Sequence, residues 1–167
     1  HTSVTTYQSA FLSHLGGADE LVDGQRPISS SAVSTISISF SSCGSTMAST
    51  HGDHTVKITD CFSGHLLQTL VGHPRTPWTC KYHPIKGNIV ASGCLGNQVR
   101  LWNWKTNTCL AMIRLEFAII SLSFHPTGKV LAIANGTRLH FWGLDKLEEW
   151  TGTSSSPATS ANERGML

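Results

Sequence analysis

The sequence predicts an all-β fold: a partial propeller of about three four-stranded antiparallel blades, the rest of the ring being supplied from outside this segment. Two observations predict it. Strand-like runs ending in an aromatic recur as Ile36, Ile38, Phe40, then Trp78, Cys80, Tyr82, then Ile120, Leu122, Phe124, each set displaced by 42 residues. A second set follows each of these: Val56, Ile58, Thr59; Val99, Leu101, Trp102; Leu139, Phe141, Trp142. A repeat of this length is a unit that cannot bury its apolar faces alone, so copies must stack. Three are too few to close a ring, which takes about four to eight.

Each element follows from local pattern. In residues 1–32, Tyr7, Phe11, Leu12 and Leu15 fall at helical spacing, and Gly16-Gly17 ends that helix. Ala18 to Ser31 is polar, contains Pro27, and reads as a linker. The blades occupy residues 33–145. In the first, Ile36, Ile38 and Phe40 alternate with serines as in a half-buried strand, and Met47–Thr50, Thr55–Thr59 and Leu66–Leu70 complete the sheet. The second has an inner face of Trp78, Cys80 and Tyr82, then Ile89–Ser92, Gln98–Trp102 and Cys109–Ile113. The third has Ile119–Phe124, Val130–Ala134 and Arg138–Trp142, and its fourth strand is missing or degraded. Residues 146–167 are polar, Ser/Thr-rich beyond Thr151, and expected to be a disordered linker.

Composition narrows the function. A net charge of +2 with 13% charged residues gives no electrostatic case for nucleic acid. Five cysteines, with no C-x-x-C pair, argue against a disulfide framework and for a reducing, cytoplasmic or nuclear, setting. No apolar run approaches the ~18 residues of a membrane span, so no membrane insertion is expected. His51 and His54 flank Asp53, but zinc needs three or four convergent ligands, and turn polarity explains them better. No nucleophile elbow, phosphate loop or H-E-x-x-H is present. Cys80 beside His83 suggests a nucleophile, yet its repeat equivalents are Ile38 and Leu122, which makes it a core position. No catalytic, metal or cofactor site is therefore expected; the remote alternative is a small enzyme or metal protein.

Gly72-His73, the third-strand endings Thr59-Asp60, Trp102-Asn103 and Trp142-Gly143, and the steps Ala48-Ser49 and Ala91-Ser92 resemble WD40 repeats. In that family an Asp three residues before the third-strand Val bonds to the Gly-His histidine. Asp53 holds that position before Val56, whereas Gly96 and Gly136 replace it in the other two blades, which are thus expected to lack the buried polar network. The run from Gly72 to Trp78, then Tyr82-His83-Pro84, Ile89 to Leu95 and Val99 to Trp102 resembles the amino-terminal WD40 region of the Ambra family (activating molecule in Beclin-regulated autophagy). Ser121 to Thr127 and Leu139 to Trp142 continue the likeness.

The resemblance implies a large non-enzymatic scaffold with a split propeller. It implies a substrate receptor of cullin-RING ubiquitin ligases that docks on their propeller-built adaptor and regulates autophagy. In many such receptors an Arg two residues after the third-strand Trp-Asp touches the adaptor; the matching residues are Phe62, Lys105 and Asp145. Lys105 keeps the charge without the bidentate fork of Arg. The alternative is a WD40 interaction platform unrelated to ubiquitylation, in RNA processing or trafficking. The candidate contact residues are Arg75, Pro77, Trp78 and Lys105. The loop from His73 to Trp78 is stiffened by Pro74 and Pro77, which lowers the entropy lost on binding, and Arg and Trp are enriched in hot spots. Trp78 is read two ways, as the start of the inner strand or as a contact.

Overall fold

Alternating apolar and small polar residues favour extended chain, and short turns reverse it. The computed structural model describes residues 34–147 and 149, and in them eleven strands form. They are β1 (Thr35–Phe40), β2 (Thr46–His51), β3 (Val56–Asp60), β4 (Leu66–Leu70), β5 (Pro77–Tyr82), β6 (Ile89–Cys94), β7 (Gln98–Asn103), β8 (Thr108–Arg114), β9 (Ile119–Phe124), β10 (Val130–Asn135) and β11 (Arg138–Gly143). The expected amino-terminal helix and linker and the Ser/Thr-rich stretch lie outside the described residues.

The strands make three antiparallel sheets with the orders β1-β2-β3-β4, β5-β6-β7-β8 and β9-β10-β11. Phe40, Tyr82 and Phe124 are each the last residue of a first strand, as the repeat requires. The third sheet has no fourth strand among the described residues. After β11, Leu144 and Leu147 instead turn back into the core.

First strands of neighbouring sheets lie against one another, β1 on β5 and β5 on β9, so they form the hub of a partial propeller. The period of two then sorts side chains between two interfaces. Cys80, Tyr82, Val90 and Trp102 point from the second blade to the first, where they meet Ala48, Val56, Ile58 and Leu70. Ile89, Ala91, Val99 and Leu101 point the other way and meet Ile119, Leu122, Leu131 and Ile133. All six residues of β6 are buried. Each buried Val, Leu or Ile contributes roughly 1.5–3 kcal/mol, so the two interfaces supply most of the stabilisation.

The outer sides of the array differ from the sequence expectation. Ile38 and Phe40 are not half-buried; they are 51% and 53% exposed, because their face of the first blade points away from the second. On the third blade Leu139 and Phe141 point away likewise, at 62% and 69%. Open apolar faces and the edge of β11, unpaired among the described residues, favour self-association. The chain alone is expected to associate with rising concentration, and a Phe40→Glu/Phe141→Lys double variant to associate less. Light scattering after size exclusion checks this; a monodisperse parent would contradict it.

A bulge recurs at the same step of every hub strand. The register slips between Thr35 and Ser37, between Pro77 and Thr79, and opposite Ile120, between Ile119 and Ser121. The inner face expected of Trp78, Cys80 and Tyr82 is therefore interrupted. Cys80 and Tyr82 are buried, but the bulge puts Trp78 out of phase and leaves it 45% exposed.

Candidate partner-docking surface

The loop Val71–Thr76 between β4 and β5 is clamped from below. Gly72 adopts φ +145, a left-handed conformation suited to glycine. The Leu95 amide donates to the Thr76 carbonyl at 3.0 Å, and the β6–β7 turn sits so close that a Cβ on Gly96 would meet Pro74 Cγ at 2.8 Å. Arg75 projects from this rigid loop into solvent. Trp78 stands two residues beyond the loop at the same end of the hub. Pro77, in contrast, is buried, so it is framework rather than contact surface.

His73 fixes the loop to the blade. Its Nε2 lies 2.6 Å from Ser92 Oγ, and Trp102 Nε1 donates to the same oxygen at 2.8 Å. The His73 and Trp102 rings meet edge to face at 5.9 Å, and the Arg100 guanidinium covers Trp102 at 5.5 Å. The second blade thus keeps a three-member network where the sequence predicted none. Gly96 explains the fourth member's absence, since it carries no carboxylate, and His73 Nδ1 has no partner among the described residues. Burial, reinforced by the Arg100 charge, pushes His73 down to about 3, so it is neutral. Asp53 does not enter a buried network either. It accepts from Thr55 N and Oγ1 at 3.1 and 2.6 Å and lies 3.6 Å from Lys57 Nζ, an exposed local turn. In the first blade the buried pair is Ser49 Oγ with His51 Nε2, at 2.8 Å.

Lys105 lies elsewhere. It occupies the β7–β8 turn, with Nζ 5.7 Å over the Trp104 ring, while Trp104 Nε1 donates to the Gly87 carbonyl at 2.9 Å. That turn is at the opposite end of a six-residue strand from the β6–β7 turn, roughly 20 Å away. Arg75 and Trp78 therefore share one end of the array. Lys105 shares the other with Phe62 and Asp145, all three exposed. The candidates form two surfaces, not one.

Two features escaped the sequence reading. His83 precedes Pro84 in a turn as expected, but it is also buried and bridges blades: Nε2 donates to the Gly128 carbonyl at 3.1 Å, and Nδ1 accepts from the Ile85 and Lys86 amides. The second is the bulge, which no residue type announces. Cys80 is a core group, with its thiol pushed up to about 12 by burial. Among the described residues no group of three or more His, Cys, Asp or Glu is placed to hold a metal, and no helix is long and apolar enough to cross a membrane.

Residues 25–60 and 64–103 match the family described as WD domain, G-beta repeat. Over 126 residues, 75% of its length, the chain is 40% identical to "Activating molecule in BECN1-regulated autophagy protein 1A" of Danio rerio, and equally to the 1B protein. It spans only about a tenth of the length of those curated relatives. It is also 33% identical over 81 residues to "Eukaryotic translation initiation factor 3 subunit I" of Aspergillus fumigatus, covering 48% of this chain and 24% of that protein. Among solved structures, the WD40 domain of Toxoplasma gondii coronin superposes with a TM-score of 0.62 at 22% identity, covering 65% of this chain and 30% of that one, a likeness of fold. The chain is a WD40-repeat protein, a partial propeller similar over three quarters of its length to the autophagy activators of the Ambra family.

Proposed function

We propose that this chain is part of a non-enzymatic scaffold that receives protein partners on the Arg75–Trp78 end of its propeller. The observation that carries the reading is Trp78, a large aromatic on the rigid hub that the bulge leaves 45% exposed beside an exposed arginine. A desolvatable aromatic and a guanidinium on pre-ordered backbone bind with little entropy loss. We propose further that the scaffold acts in autophagy regulation as a substrate receptor or adaptor of a cullin-RING ubiquitin ligase, in the cytoplasm. Similarity to the zebrafish proteins, named for BECN1-regulated autophagy, supports the autophagy part of this reading, and the ligase part rests on the charge that Lys105 keeps at the adaptor-contact position of the repeat. The adaptor would meet the opposite end, where Lys105, Phe62 and Asp145 hold equivalent exposed positions.

Arg75→Ala is expected to leave folding within about 0.5 kcal/mol of the parent and to weaken partner binding by more than ~1 kcal/mol. Trp78→Ala is expected to do the same to binding and to cost only about 1 kcal/mol of stability, not the ~3–5 kcal/mol of a core aromatic. Affinity-purified full-length protein and both variants, compared by quantitative mass spectrometry, test the surface. If every partner stays bound to both variants, this end is not the docking site. Co-purification of the cullin-ligase adaptor, lost in Lys105→Glu, supports the ligase role. Its absence from the parent favours a general interaction platform.

A further inference from the structure

Cys43 and Cys61 come from two turns that the first sheet places side by side. The β1–β2 turn is closed by Ser41 N to Thr46 O and by Gly44 N to Ser41 O, both 2.9 Å, with Gly44 at φ +72. Thr46 pairs with Asp60 across β2 and β3. The ladder continues one step past the strands, where the Cys61 amide donates to the Ser45 carbonyl at 2.9 Å. Cys43 Sγ lies 3.0 Å from Ser45 Oγ and 3.5 Å from Ser41 Oγ. A second thiol thus sits on the residue paired with Cys43's own hydrogen-bond partner. Cys43 is exposed and Cys61 half-buried, and neither is in a disulfide.

We propose that Cys43 and Cys61 form a site of reversible oxidation by hydroperoxides, Cys43 being attacked first and Cys61 resolving it to a disulfide. The thiolate is the reactive form, and the two serine hydroxyls hydrogen-bond to it. They hold Cys43 down to about 7, so it carries more thiolate near neutral pH than an ordinary cysteine. Burial, with the nearby negative charges of Asp60 and Cys43, raises the Cys61 thiol, as suits a resolving group that reacts second. The other exposed cysteine, Cys109, is also raised, by burial of its thiol.

The steps balance. The Cys43 thiolate attacks one oxygen of hydrogen peroxide and the O–O bond breaks. The other oxygen leaves as hydroxide and takes a proton to become water, and Cys43 becomes a sulfenic acid. Cys61 gives up its proton and attacks that sulfur; the S–S bond forms, the S–O bond breaks, and the hydroxyl leaves as water. Two thiols and one peroxide give one disulfide and two waters. The bond would tie the two turns together beside Phe62, on the same end as Lys105.

The test treats the full chain with hydrogen peroxide at pH 7 and maps the products by peptide mass spectrometry. The expected product is a Cys43–Cys61 cross-linked peptide, reversed by dithiothreitol. In Cys61→Ser, Cys43 should persist as a sulfenic acid trapped by dimedone; in Cys43→Ser, Cys61 should stay reduced. Iodoacetamide should label Cys43 at least about fivefold faster than Cys109, the gain in thiolate fraction outweighing the lower nucleophilicity of a more acidic thiol. Equal labelling of Cys43 and Cys109, or a peroxide product that does not join Cys43 to Cys61, would overturn the proposal. All three cysteines are at least partly accessible, and Ser keeps the size of Cys43 and Cys61, so folding of the variants is checked simply by circular dichroism.

Discussion

Trp102→Ala is expected to destabilise the chain by about 3–5 kcal/mol, the range for deleting a buried aromatic. Trp102 is 2% exposed and lies in the interface between the first and second blades, against Val56, Ile58 and Val90 among others. Its loss opens a cavity, removes the donor to Ser92 Oγ, and takes away the ring against which His73 sits edge-on. Trp102→Phe separates these effects, since it keeps most of the apolar volume and loses only the indole donor, about 1 kcal/mol on top of the volume change. Urea unfolding of the two variants beside Trp78→Ala checks the assignment. The order of cost should be Trp102→Ala, then Trp102→Phe, with Trp78→Ala near the latter or below it. A Trp78→Ala variant as damaged as Trp102→Ala would contradict the bulge.

Acidification is the second large effect. The folded chain holds His73 neutral down to about 3, whereas an unfolded histidine titrates near its ordinary 6.5. Below pH 6.5 the unfolded chain therefore binds a proton that the folded chain refuses. Stability must fall with pH, by up to about 1.4 kcal/mol per unit, until the folded state also protonates near 3. Above 6.5 the term is constant. His83 acts in the same direction, because burial lowers it too. Urea midpoints at pH 7.5, 6 and 5 should decline steadily for the parent. A His73→Gln variant, which puts a neutral amide in place of the imidazole, should lose less over that interval; equal slopes would show that His73 does not carry the effect.

Much of this architecture was legible because strands announce themselves through period-two alternation. Leu66–Leu70 and Ile119–Phe124 were read to the residue, and the others to within one or two. The equivalence of Cys80 with Ile38 and Leu122 correctly marked it as core, a deduction that repeats make possible and a single copy would not. Trp78 was only half legible. Its position in the repeat matches Ile36 and Ile120, but whether a hub residue points inward depends on the register slip, and a slip is a relation between two strands. Pro77 failed for the same reason, since the bulge turns it into the sheet. The network at His73 was hidden differently. Gly72-His73 was visible, and so were Ala91-Ser92 and Trp102, yet only the folded blade shows that these three side chains share one hydroxyl. The absence of an Asp before Val99 pointed to loss of the whole network, when only its outer member was gone.

The recurring bulge also separates two kinds of constraint within each repeat. Hub positions such as Cys80, Tyr82, Ile119 and Leu122 are held to side chains of fitting volume, because they fill the space between two sheets. The slipped residue is released from that demand: the chain carries isoleucine, tryptophan and isoleucine at Ile36, Trp78 and Ile120 without any of them being fully buried. Substitution there changes what the rim displays while the interlocking of the sheets goes on undisturbed. One address position per blade, set around a common axis, lets a stack of near-identical units present a different word at each turn.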